Sequence, residues 1–164
     1  MPGHLTFRHI AGIAILFSIT SYNAISGQDR ISLTAGFGIP DLINAGVRYQ
    51  LKNDSIQIGL NYGFAQGDKT YSCNLYFNLL GKAKLSPYPP WYLKGSFAML
   101  YFKDDLLFAH WNPVFSVSAG RDFYFSKKFG LDLEAGIMHA PNMKLLLSEI
   151  SFMPCFGFQF FIKI

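Results

Sequence analysis

Apolar and polar residues alternate with a period of two in eight consecutive runs between Ile31 and Ile164. This is the period of a β-strand, whose successive side chains point to opposite faces of the sheet. The third run shows it most clearly, with one wholly apolar face: Ile56, Ile58, Leu60, Tyr62 and Phe64 alternate with Ser55, Gln57, Gly59, Asn61 and Gly63. The pattern predicts an all-β protein of eight antiparallel strands.

The composition of the polar face indicates what surrounds such a protein. A soluble barrel also alternates, but its polar face meets water and normally carries many Lys and Glu residues. Here that face carries glycine, amides, hydroxyls and a few charges of both signs, which suits the crowded interior of a narrow barrel. We therefore predict an eight-stranded antiparallel up-and-down transmembrane β-barrel. Aromatic residues near the run ends would occupy the lipid boundary: Tyr49, Tyr62, Tyr71, Trp91 and Tyr101.

The lengths of the connections agree with an outer-membrane topology, in which both ends of the barrel lie on the periplasmic side. The predicted periplasmic connections are residues 52–54, 81–90 and 126–128, of which the second is longer and rich in proline. The predicted external connections are residues 38–41, 65–69, 102–111 and 139–153. The longest connection, residues 139–153, thus lies outside, as this topology requires.

A cleavable secretory signal is predicted at the start of the chain. A short basic region precedes the apolar residues 10–19, and Ala24 and Ser26 occupy the positions of a small-residue cleavage site. We assign residues 1–27 to the signal peptide and residues 28–164 to the barrel domain. The apolar stretch is too short to span a bilayer as a helix, so the membrane hypothesis depends on the strands.

Charge and cysteine content narrow the possible partners. The formal net charge is only +4, and several lysines lie in predicted turns, so nucleic-acid binding is not expected. Cys73 falls on the outward face of the fourth strand and Cys155 on the inward face of the eighth. A disulfide between them is not expected, because these strands lie on opposite sides of an eight-stranded barrel.

Four inward charges form the main candidate site, namely Arg48, Lys94, Asp132 and Glu134, to which the parity adds Asp122 and Lys163. Charges enclosed in a narrow barrel must be paired, and the mixed signs allow this. We interpret the set as a structural luminal network that plugs the barrel, since eight strands are too few for an aqueous pore. The alternative is that these inward charges line a functional conduit.

Catalysis is the second alternative. His139, Ser148 and Glu149 fall on the last predicted external loop and could supply a base, a nucleophile and an acid, as in small barrels that modify lipid A. Nothing in the sequence brings these groups within hydrogen-bond distance, and no G-x-S-x-G motif occurs. The sequence therefore favours a role that is not enzymatic. It predicts no metal site and no cofactor.

Four segments resemble the small, porin-like outer-membrane β-barrel proteins of Bacteroidetes-type bacteria, a largely uncharacterised family: GIPDLINAGVRYQL, PPWYLKG, SAGRDFYFSKKFGLDLEAG and FGFQFFIKI. The resemblance extends over the mature chain and implies the same barrel fold in the bacterial outer membrane. The last segment also resembles the C-terminal signal that the barrel-assembly machinery binds. These motifs are structural, so the resemblance implies no particular chemistry.

The sequence thus predicts an outer-membrane barrel with a plugged lumen and a structural, surface-interaction or receptor-like role. The alternatives are a lipid-modifying outer-membrane enzyme and a secreted soluble barrel that binds an apolar ligand. The expected partners are outer-membrane lipids and the assembly machinery, while the sequence names no external partner. Arg121 is exceptional, because strict parity places it on the lipid-facing side. We expect it to extend to the periplasmic boundary, or a β-bulge to turn it inward.

Overall fold

A computed structural model describes residues 30–51, 55–65, 68–82, 84–86, 88–103, 109–141 and 152–164. The predicted signal peptide lies outside these residues. Eight strands cover most of the described chain: β1 Ile31–Gly38, β2 Leu42–Gln50, β3 Ile56–Ala65, β4 Asp68–Leu80, β5 Trp91–Lys103, β6 Ala109–Tyr124, β7 Phe129–His139 and β8 Phe152–Lys163.

The strands form a closed antiparallel barrel, as the alternation predicts. Each strand pairs with the next, and β8 closes onto β1 from Ser32–Lys163 to Gly38–Gly157. We call the end that holds both chain ends of the barrel the terminal end, and the opposite end the loop end. Within the described residues, no helix has the length and apolar character needed to cross a membrane.

The two faces of the barrel have opposite polarity, and their assignment from the sequence is confirmed. Leu60 on β3 is 62% exposed, whereas its neighbour Asn61 is 5% exposed. Outward positions on all eight strands are mainly large apolar side chains, while the buried inward set includes amides, hydroxyls and charges. In the described strands, polar side chains therefore lie mainly inside the barrel and large apolar side chains mainly outside.

Four strands are longer than the sequence pattern predicts. β5 continues to Lys103 and β6 begins at Ala109, so half of the predicted loop 102–111 is a paired extension of the barrel. β4 begins at Asp68 and β8 at Phe152, which likewise shortens the predicted connections 65–69 and 139–153. In β6 and β8 the extensions were missed because apolar residues occupy inward as well as outward positions, whereas the start of β4 was missed because Asp68, Lys69 and Thr70 are all polar.

Two prolines lie within the extended parts of β6 and β8. Pro113 pairs with Met99 of β5, and the pairing of β6 with β7 starts only at Phe115. Pro154 pairs with Ile137 of β7, beyond the last pair between β8 and β1. Each proline therefore lies where its strand is paired along one edge only, and that is where a residue without an N–H group is tolerated.

Two connections fold back toward the lumen, one at each end. At the loop end, the turn between β1 and β2 buries Asp41 and passes over Gly63, where the Asp41 carbonyl oxygen occupies the space of a Cβ atom. At the terminal end, the connection between β4 and β5 buries Ser86 and Tyr88. The sequence predicts both as simple external or periplasmic connections, because nothing in a turn sequence states whether the turn points in or out.

We expect Gly63→Ala to destabilise the barrel, because the added methyl group must displace the turn that carries Asp41. Overpacking of this kind costs about 1–3 kcal/mol. Gly95→Ala is the matched control, since a Cβ at Gly95 has no neighbouring atom within 4 Å. Urea unfolding of the purified barrels in detergent measures both free energies. Equal stability of the two variants would contradict the inward packing of the turn.

Candidate functional site

The centre of the lumen contains an ion cluster around Arg48. Its guanidinium hydrogen-bonds to the Asp132 carboxylate and, at 2.8 Å, donates to Oε1 of Gln159. A second carboxylate, that of Asp122, lies 3.5 Å from Nη1 of Arg48. The three charged side chains are at most 5% exposed. One buried cation, Arg48, therefore interacts with two buried carboxylates.

The register explains why this cation is needed. Asp122 of β6 and Asp132 of β7 are directly opposite each other in the sheet, and like charges in that position repel. Arg48 reaches them from β2, on another side of the barrel. Without its charge, two carboxylates would be buried together in a medium of low dielectric constant, which is strongly unfavourable.

A second ion pair lies beside the first. Lys94 of β5 pairs with Glu134 of β7, and the hydroxyl of Tyr92 donates to Asp132 and lies 3.4 Å from Glu134. The ring of Tyr76 completes the group, with the Arg48 guanidinium carbon 4.5 Å from its centroid. The structure thus brings together all four charges selected from the sequence, and it adds the two tyrosines. Their inward parity was visible in the sequence, but their place between the two ion pairs was not.

A second group of contacts closes the terminal end. The ammonium of Lys163 donates to the Ser86 hydroxyl at 3.2 Å and lies within 5 Å of the ring centroids of Tyr88 and Tyr124. The side-chain amide of Asn78 donates to the carbonyl of Pro89 at 2.8 Å. These contacts hold the connection between β4 and β5 against the barrel opening.

At the loop end, Asp41 enters the lumen from above. Its carboxylate accepts a hydrogen bond from Ser72 at 3.2 Å, and Thr70 donates to the carbonyl of Pro40 at 3.4 Å. The pKa of the Asp41 carboxyl is raised above its ordinary value, because burial removes water from the charged form. The charge of Lys94 and the Ser72 hydroxyl oppose this rise.

An apolar cluster fills the rest of the lumen at the loop end. Its six buried members come from β5 to β8 and their connections: Ala98, Leu100, Val114, Met138, Ala140 and Cys155. The partly buried side chains of Ile39 and Met153 pack against them. Most of this cluster was not predicted from the sequence, since Ile39, Ala140 and Met153 fall in predicted connections. Cys155 is a buried free thiol and Cys73 an exposed one, as expected.

Two cavities between described residues of the lumen are very small. One lies among Asp41, Asn44, Lys94, Glu134 and Gln159, and another lies between Arg48 and Lys163, each of about 10 Å³. A single water molecule needs roughly 10–15 Å³. Neither cavity has room for a substrate, a cofactor or a chain of waters.

The residues of the catalytic alternative are only partly described. His139 is the last residue of β7 and was wrongly placed in the following loop; its ring packs 4.8 Å from that of Phe152 on the outer surface. Ser148 and Glu149 lie outside the described residues. Across the described ranges, no three His, Cys, Asp or Glu side chains are grouped as metal ligands.

No protein-family model matches this chain, and no curated protein matches it. The crystal structure of the N-terminal β-barrel domain of Pseudomonas aeruginosa OprF is similar, with a TM-score of 0.51 and 15% sequence identity. The match covers 80% of this chain and 95% of that domain. At this identity the likeness shows the fold alone, which is that of an eight-stranded barrel of the outer-membrane type.

We expect Lys94→Met to cost about 3–5 kcal/mol, because it leaves the Glu134 carboxylate in the lumen without its cation. The double variant Lys94→Met with Glu134→Gln removes both charges and should unfold at a higher urea concentration than the single variant. Tryptophan fluorescence in detergent follows both transitions. A double variant less stable than Lys94→Met would show that the pair itself, and not the uncompensated charge, sets the stability.

Proposed function

We propose that this protein is an outer-membrane β-barrel with a closed lumen, and that it acts through its surfaces and not as a diffusion channel. The observation that carries the proposal is the polarity of the two barrel faces, each of which is opposite to that expected for a soluble protein. Paired charges fill the centre of the barrel, and large apolar side chains cover its outside. An apolar exterior of this extent is expected where lipid takes the place of water.

The outer surface carries aromatic side chains near both ends of the strands. At the loop end, Tyr62, Tyr71 and Trp111 make successive ring contacts, with centroid distances of 5.1 and 5.9 Å. At the terminal end, Phe129 packs against Phe125 and Phe160. Two such girdles flank the apolar band of membrane barrels. This supports an orientation in which the terminal end faces the periplasm and the loop end faces outward.

A channel or a carrier of apolar ligands fits the lumen poorly. A channel needs a continuous aqueous path, but the described lumen is interrupted by Lys163 with Tyr88, by the Arg48 cluster and by the apolar cluster. An apolar ligand needs an apolar cavity, and the luminal cavities are small and lined by charges. A structural, surface-interaction or receptor-like role therefore accounts best for the architecture.

The remaining expectations from the sequence are part of the same proposal. The chain would belong to the small Bacteroidetes-type barrels that it resembles, and lipids and the barrel-assembly machinery, through β8, would be its partners. Lipid modification has less support. His139 packs against Phe152 on the outer surface, and Ser148 and Glu149 lie outside the described residues.

We expect Leu60→Arg to cost about 2–4 kcal/mol in a bilayer, if the position lies near the midplane. Leu60 is the most exposed apolar residue of β3 and faces away from the lumen. Folding into lipid vesicles, followed by heat-modifiable gel migration, measures the effect. Efficient folding of Leu60→Arg, together with failure of Asn61→Leu, would show that the two faces are assigned in reverse.

Planar-bilayer recording should show no stable, large conductance from the purified protein. The physical reason is that ion passage would have to separate Arg48 from Asp132 or move the apolar cluster at the loop end. A sixteen-stranded porin, whose wider barrel leaves an aqueous channel, is the positive control. Currents of porin size from this protein would contradict the closed lumen.

A further inference from the structure

Arg121 lies on the outer surface of the barrel and is held there by aromatic rings. Its guanidinium carbon is 5.1 Å from the ring centroid of Trp91 and 4.8 Å from that of Phe123. The ladder is continuous on both sides, with Arg121 paired to Trp91 of β5 and to Leu133 of β7. A β-bulge therefore does not turn the side chain inward, and the outward position is part of the regular sheet.

The charge of Arg121 has no protein counterion among the described residues. The acidic residues of β6 and β7 are Asp122, Asp132 and Glu134, and all three are engaged inside the lumen. A cation on the lipid-facing surface is unfavourable toward the bilayer midplane and is tolerated near the interface. The two ring contacts position the guanidinium without using its N–H groups as donors to a carboxylate, so these groups can bind an anion.

An apolar groove begins a short distance up the barrel from Arg121. The intervening outward residues on β6 and β7 are Ala119 and Ala135, which are paired with each other. Beyond them lies a groove of about 300 Å³ on the outer surface. Its outward-facing lining residues are Gly95, Phe115, Val117, Ile137, His139 and Phe152. Gly95 opens the groove, because a Cβ at that position would meet no atom within 4 Å.

The spacing between the cation and the groove lies within one lipid leaflet. Val117 lies four residues from Arg121 along β6, which is about 13 Å along the strand and, at a strand tilt of about 40°, about 10 Å along the membrane normal. Half of the hydrocarbon thickness of a bilayer is about 15 Å. A lipid whose headgroup lies at Arg121 would thus bring the end of an acyl chain to the lower part of the groove.

We propose that Arg121 and this groove form a binding site for one anionic glycerophospholipid of the periplasmic leaflet. The site rests on the membrane location proposed above. The guanidinium binds the phosphate through two parallel hydrogen bonds, as arginine does with planar or tetrahedral oxyanions. An acyl chain passes over Ala119 and Ala135 into the groove. Lys127, in the adjacent turn, adds positive charge that attracts an anionic headgroup.

The two tryptophans of the chain allow a direct test, since Trp91 contacts Arg121 and Trp111 lies at the loop end. The variant Trp111→Phe leaves Trp91 as the only tryptophan, and Trp91→Phe leaves Trp111. Each is folded into phosphatidylcholine vesicles that contain a fraction of either brominated phosphatidylglycerol or brominated phosphatidylcholine. Because bromine quenches tryptophan on contact, the ratio of the two quenching curves gives the local enrichment of the anionic lipid.

We expect phosphatidylglycerol to be enriched about fivefold at Trp91, the selectivity that one interfacial arginine supplies, and not at Trp111. Arg121→Gln in the Trp111→Phe background should abolish the enrichment. Lys69→Gln, which removes an exposed charge at the other end of the barrel, should leave it unchanged. Gly95→Leu fills the groove and should lower the enrichment, whereas Ala45→Leu, the same kind of enlargement on β2, should not.

The outcomes separate this site from the membrane location on which it rests. Equal quenching of Trp91 by both lipids, or enrichment that survives Arg121→Gln, would contradict the lipid site while leaving the membrane barrel intact. Absence of quenching of either tryptophan by either lipid would contradict the membrane location itself. Native mass spectrometry of the detergent-purified protein provides a second measurement, in which Arg121→Gln should lose a co-purified phospholipid that Lys69→Gln retains.

Discussion

Charge confined inside a narrow closed sheet governs how this barrel is packed. Eight strands enclose space for side chains but hardly any for water, so an inward charge must find its counterion within the protein. Arg48 meets this requirement for Asp122 and Asp132, and Lys94 meets it for Glu134. These contacts join β2, β5, β6 and β7 across the lumen, in addition to the hydrogen bonds that join neighbouring strands.

The same confinement explains the inward turns. A barrel open at both ends would expose the ion cluster to water and weaken its interactions. At the loop end, the turn with Asp41 and the apolar cluster separate the cluster from solvent, and at the terminal end Ser86 and Tyr88 do so with Lys163. The lumen is therefore layered, with an apolar layer above a charged layer and a tyrosine-lined lysine below it.

On the outer surface most side chains are apolar, and for that reason an outward charge is informative. In the proposed membrane location, lipid supplies no counterion at depth, so a charge among outward apolar residues would be paired with the headgroup region. Arg121 is such a charge. The small residues Ala119, Ala135 and Gly95 leave space on the outer surface nearby for an acyl chain. The likeness to the OprF barrel shows the fold at 15% identity, and so it does not bear on details of this kind.

Alternation is a local property of an extended chain, so the face that most strand residues occupy could be predicted from the sequence. Asn61 in the lumen, Leu60 outside and the inward set of charges followed from parity alone, whereas the two free thiols followed from parity together with the predicted strand order. Which charges meet could not be predicted in this way. Arg48 and Asp132 are 84 residues apart, and barrel closure and strand register bring them together. Burial of Asp41 and Tyr88 likewise depends on the direction in which a connection folds, which no local pattern encodes.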